Sequence, residues 1–121
     1  MSIPEFFTTT TAPPWGWTFA DAGGNVPPGF SGATCTLTFR SESTGQKVRG
    51  GGSFTGQNGT TGAATYNLSP TDMATAYAQS ALGSAIGGPL PGTEIFEVFA
   101  EAVVGSNVYD AQPEQIAIRK I

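Results

Sequence analysis

Between residues 33 and 39 the chain alternates strictly: Ala33, Cys35, Leu37 and Phe39 are apolar, and Thr34, Thr36 and Thr38 stand between them. Successive side chains of an extended strand point to opposite faces, so this period of two sends one set into a core and leaves the threonines outside. A helix cannot sort side chains in this way. Residues 94–104 have the same grammar, with Phe96, Val98, Ala100, Ala102 and Val104 on one face and Ile95, Glu97, Phe99, Glu101 and Val103 on the other. That stretch also admits a helical reading, in which Glu94, Glu97 and Glu101 oppose Phe96, Phe99 and Val103. Its aromatic and β-branched content favours the strand, as does a Gly105-Ser106 pair suited to a type II′ hairpin before Asn107-Val108-Tyr109.

Further strands follow from the same reasoning. Trp15, Trp17 and Phe19 share a face against Gly16 and Thr18. Lys47-Val48-Arg49 returns from a hairpin tip at residues 43–46, residues 63–68 place Ala64, Tyr66 and Leu68 together, and residues 115–121 pair Ile116 with Ile118. Glycines at 45, 50, 51, 52, 56, 59 and 62 predict a mobile or bulged segment pinned by Phe54. Ser69-Pro70-Thr71-Asp72 predicts a helix over residues 70–82, with Ser69 as N-cap, Pro70 in the first position and Asp72 complementing the helix dipole. About seven short strands and one helix in a connection describe an all-β chain, an immunoglobulin-like antiparallel β-sandwich. The 121 residues suit one core. The expected division is a sandwich over residues 15–121 and an N-terminal arm over 1–14, in which Ile3, Phe6 and Phe7 precede a threonine run and Pro13-Pro14. The arm's aromatics either cover the domain's own sheet edge or dock on a neighbouring subunit as an added strand.

The chemistry is bounded by what the chain lacks. It contains no histidine, which removes the commonest general base, nucleophile activator and metal ligand together. Glycine-rich motifs fail, because Gln57 stands where a phosphate loop needs lysine. Asp21, Asp72 and Asp110 fall at turns or caps and not in a calcium-loop spacing. Glu97 and Glu101, four residues apart on a strand, lie roughly 13 Å apart at ~3.3 Å per residue. That exceeds the ~5–9.5 Å of a glycosidase pair. No enzyme activity, catalytic residue, cofactor or metal is expected. Five basic against nine acidic residues give a net charge of −4, which argues against a nucleic-acid partner. The apolar stretch at 95–104, interrupted by two glutamates, is short of a membrane span, and residues 1–11 lack the pattern of a signal peptide. The single Cys35 reads as a small buried hydrophobe made in a reducing compartment.

Charged residues make up only 12% of the chain, against about 25% in an ordinary domain. That composition suits a turn-rich β protein or a subunit whose surface partners cover. Candidate protein-contact residues are therefore Ile3, Phe6 and Phe7 on the arm and Glu97, Phe99 and Glu101 on the outer face of the long strand. The two glutamates serve there as solvated charges or as an acidic patch for a basic partner. Trp15 and Trp17 are expected in the core. Were they exposed, sugar stacking would make a carbohydrate-binding or adhesin-type module the alternative.

Taken in order, the aromatic strand leads to Gly24-Asn25-Val26-Pro27, then Gly32-Ala33-Thr34 enters the alternating strand to Phe39-Arg40. Gly62-Ala63-Ala64-Thr65-Tyr66-Asn67-Leu68 and Ser69-Pro70-Thr71-Asp72 follow, then Pro91-Gly92, a long strand and a closing Ile116-Ala117-Ile118. Over about residues 15–121 this resembles the N-terminal immunoglobulin-like domain of upper baseplate proteins from phages of Gram-positive bacteria, and related prophage structural proteins. The resemblance implies a virion structural module, assembled in the host bacterial cytoplasm. It would be a homo-oligomer contacting other virion structural proteins, with no catalytic residues to carry over.

Overall fold

The computed structural model describes residues 3–11 and 13–121. Met1, Ser2 and Ala12, which belong to the expected arm, lie outside the described residues. Among the described residues there are nine strands: β1 (Glu5–Phe7), β2 (Trp15–Thr18), β3 (Thr34–Ser41), β4 (Lys47–Arg49), β5 (Ser53–Thr55), β6 (Ala63–Asn67), β7 (Gly92–Val104), β8 (Asn107–Asp110) and β9 (Glu114–Lys120). One helix, α1 (Asp72–Tyr77), joins β6 to β7. The larger sheet has the order β1-β9-β7-β3-β4, with β8 also on β7, and the smaller has the order β2-β6-β5. Two packed sheets with this connectivity form an immunoglobulin-like β-sandwich. Two strands exceed the seven expected: β1 comes from the arm and β5 from the glycine-rich segment. β1 runs parallel to β9, whereas the other ladders are antiparallel.

The long strand forms as its alternation requires. Phe96, Val98, Ala100 and Ala102 are buried, and β3 sets Phe39 against Val98 and Leu37 against Ala100. Both neighbours turn apolar side chains to the same interior. Gly105, at φ 62, opens the two-residue turn between β7 and β8, and Ser106 keeps a negative φ, as a type II′ hairpin needs. The small sheet closes the core from the other side with Trp17 and Tyr66, and Phe19, just past the end of β2, is buried beside them. Phe19 packs on Phe30 with ring centroids 5.3 Å apart, and Phe54 packs on Tyr66 at 5.1 Å.

The glycine-rich segment is a crossing between sheets. The chain passes from β4 to β5 directly over Tyr66, and a Cβ on Gly50 or Gly52 would collide with that side chain. The Gly52 N–H instead donates to the Tyr66 hydroxyl at 2.9 Å.

The helix is shorter than expected at both ends. Thr71, not Ser69, precedes it, with no side-chain cap bond. Asp72 is buried, and its carboxylate accepts from Gly51 N–H (2.7 Å), Tyr66 hydroxyl (2.5 Å) and Ser69 N–H (3.0 Å). Three donors from the crossing, β6 and the helix entry thus meet on one carboxylate, which holds residues 69–71 in a turn outside the helix. At the other end the Ser80 hydroxyl donates to the Tyr77 carbonyl (2.6 Å) and accepts from Gly83 N–H (3.0 Å). The chain therefore curls after Tyr77 instead of continuing to Leu82.

Replacing Asp72 by alanine strands three donors in or near the core and is expected to lower stability by roughly 2–4 kcal/mol in urea unfolding. Asp21 caps an exposed turn through Gly23 and Asn25 N–H groups, and Asp21→Ala is expected to cost about 1 kcal/mol or less. Equal losses would show that Asp72 is not the junction. Burial, and next the Asp72 hydrogen bond, raise the Tyr66 phenol well above its ordinary value of 10.0. Burial and then the nearby Glu94 raise Tyr77. A group with a raised folded pKa contributes stability that is complete below its unfolded pKa and is lost as pH climbs toward the folded one. Stability is therefore expected to hold up to about pH 10 and to decline above it, by at most about 1.4 kcal/mol per pH unit for each tyrosine. Tyr66→Phe is expected to make that alkaline limb shallower in urea titrations. An unchanged slope would contradict the assignment.

Candidate interaction surface

The residues on the outer face of the larger sheet follow from the register that buries the inner face. Across β4, β3 and β7 one row reads Lys47, Arg40, Glu97 and the next reads Arg49, Thr38, Phe99. One step further, Thr36 stands beside Glu101, and Glu101 beside Asp110 of β8. Arg40 bonds Glu97 at 3.1 Å and Glu42 at 3.3 Å. These are half-exposed pairs of the kind worth ~0–1 kcal/mol.

A groove of about 630 Å³ opens on this face, lined by Thr38, Lys47, Arg49, Phe99, Glu101 and Asp110, among others. Its origin is a break in strand pairing. Beside β7, β8 ends at Asp110 and β9 begins at Glu114. Between them Ala111 still donates its N–H to the Ala100 carbonyl of β7 (3.0 Å) while bridging to Phe19 at the edge of the other layer, and the chain then leaves the sheet before β9. Phe99 lines the space beside the departing segment. Lys47 and Arg49 on β4 flank it on one side, and Glu101 and Asp110 flank it on the other. Among the described residues none of these four charges takes part in an ion pair.

Of the six residues singled out in the sequence, the structure brings Glu97, Phe99 and Glu101 together as consecutive outward positions of β7. The arm adds β1 to the free side of β9 in this same molecule, through Ala117 N–H to the Pro4 carbonyl (2.9 Å) and Thr8 N–H to the Arg119 carbonyl (3.0 Å). Phe6 turns inward, half-buried, with its ring centroid 5.6 Å from that of Trp15. Ile3 and Phe7 stay exposed, at 40% and 39%. They sit at the far edge of the sheet, beyond β9 from the groove. Lys47, Arg49 and Asp110 were missed. Their spacing within short strands was legible, but which strands lie side by side was not.

The tryptophans are not offered to solvent as a platform. Trp17 is buried at 3% exposure, Trp15 packs on it at 4.8 Å, and the Trp15 indole N–H donates to Glu114 at 3.1 Å. Burial pushes the Cys35 thiol above its ordinary pKa, against a smaller lowering by Gln57, which keeps it in the less nucleophilic form. Among the described residues no cluster of three His, Cys, Asp or Glu side chains could hold a metal ion, and no helix is long and apolar enough to cross a membrane. No protein-family model matches this chain, and no curated protein or solved structure is significantly similar to it.

Phe6→Ala removes packing against Trp15 and is expected to lower stability by about 1–2 kcal/mol, because the site is half-buried at an edge. Phe7→Ala is expected to stay within about 0.5 kcal/mol of the parent. Thermal unfolding of the two variants measures the contrast, and a larger loss for Phe7 would reverse the assignment of the arm's two aromatics.

Proposed function

We propose that this chain is a non-enzymatic assembly module of a phage or prophage virion, of the tail or baseplate kind. It acts through protein-protein contacts on the outer face of its larger sheet and resides in the virion. The observation that carries the contact reading is the groove around Phe99, where an aromatic ring stands together with four charges that, among the described residues, form no ion pair, on a sheet face that no other layer of those residues covers. A sheet face left open in this way is where a partner gains most from burial, with apolar contact at the centre and charges at the margin setting orientation. The low charge content supports the same reading, and the resemblance over residues 15–121 supports the virion setting. Glycan binding is the second reading of the same groove, with Phe99 as stacking surface and the surrounding polar groups as hydrogen-bonding partners.

The test is the composition of phage or prophage particles purified from the source cells. Quantitative mass spectrometry is expected to find the chain at a fixed copy number per particle. A Phe99→Asp variant with unchanged thermal stability is expected to be lost from particles. Particles that form without the chain overturn the virion assignment, and glycan-dependent quenching of signals near Phe99 without any protein partner would establish the second reading instead.

A further inference from the structure

The charges around the groove are arranged by sign. Lys47 and Arg49 form a basic margin on β4, Glu101 and Asp110 form an acidic margin on β7 and β8, and Phe99 lies between them. A face that carries both signs on opposite sides of an apolar centre is complementary to itself. A two-fold axis lying between two such faces and perpendicular to the line that joins the two margins exchanges them, so it sets each basic margin over the other copy's acidic one. From this geometry we infer that the occupant of the outer sheet face is a second copy of this chain, packed face to face as an isologous dimer. The inference deepens the assembly reading and rests on it for treating this face as a contact surface.

Edge pairing is the competing way for two copies to meet, and the sequence of β4 opposes it. Two antiparallel β4 strands centred on Val48 would place Lys47 beside the other copy's Arg49, and like charges directly opposite destabilise a ladder. The face is also of sufficient size. Five strands in the path of the larger sheet at about 4.8 Å, over the eight residues of β3, give roughly 24 by 26 Å, or about 600 Å² per copy. Two copies bury about 1,200 Å², the lower end of the range for specific interfaces. A dimer of that size and polarity is reversible and depends on concentration and salt.

Sedimentation equilibrium of the full chain tests this. The wild-type protein is expected to dimerise reversibly, and raising NaCl from about 20 to about 500 mM is expected to weaken the dimer several-fold by screening the margins. Lys47→Glu with Arg49→Glu, or Glu101→Lys with Asp110→Lys, is expected to weaken self-association at least about tenfold, because like charges then face each other. Mixing the two doubly reversed chains is expected to restore association as a heterodimer. A chain that is monomeric throughout, a dimer indifferent to both reversals, or a mixture that fails to associate overturns the inference. If a reversed chain does not fold, the wild-type salt response decides, and a dimer equally tight at both salt concentrations counts against it. A wild-type monomer whose Phe99→Asp variant is still lost from particles removes self-pairing and leaves the assembly reading intact. A dimer that responds to the reversals but is absent from particles does the opposite.

Discussion

Every strand of the larger sheet except β1 and β4 is set directly by the burial of alternate residues in β7. From Phe96 to Ala102 each second side chain is at most 1% exposed, and β3 lies along one side while β8 and β9 share the other. Slipping this strand by one residue would carry Glu97 and Glu101 into the interior and turn Phe96 and Val98 out to water. The cost of dehydrating two carboxylates without partners far exceeds what one sheet bond contributes. Register is therefore settled for β7 and, through it, for its neighbours. The outward row of Glu97, Phe99 and Glu101 is the other half of that same choice.

Two of the junctions between the layers shape the core and the outer face. At one corner the chain leaves the larger sheet after β8, bridges from Ala111 to Phe19, and returns as β9. That excursion closes the core between the layers, and on the outer side it leaves the space beside Phe99. Closing the interior and opening the groove are consequences of one local departure. At the other place the crossing at residues 50–52, β6 and the entry to α1 converge on the Asp72 carboxylate. A buried carboxylate holding several donors is a rigid joint, because losing any one partner leaves a polar group unsatisfied in a medium of low dielectric.

The strand at residues 33–39 was legible residue by residue, whereas residues 94–104 favoured a strand on composition but also admitted a helix, and the pairing of β7 with β3 and β9 decides it. The arm's two possible resting places were also legible, and in this chain β1 lies along the edge of its own sheet, in parallel with β9. Other features were hidden. Asp72 looked like a helix-entry residue, because its position beside Ser69-Pro70-Thr71 is all that a linear chain displays, whereas its partner Gly51 lies 21 positions away. The length of α1 was overestimated because Gly83 and Ser80, which end it, act through close approach to the Tyr77 carbonyl and not through helix propensity.

By itself the sequence determined which side of each long strand faces inward and that no histidine-based chemistry is available, since both follow from residue identity and periodicity. Only the tertiary structure decided that Lys47 and Arg49 stand across Phe99 from Glu101 and Asp110. Those residues come from three strands separated by as many as 63 positions, and their neighbourhood depends on strand order and register. Strand order is a property of how two apolar layers close on each other, and no local pattern of side chains encodes it.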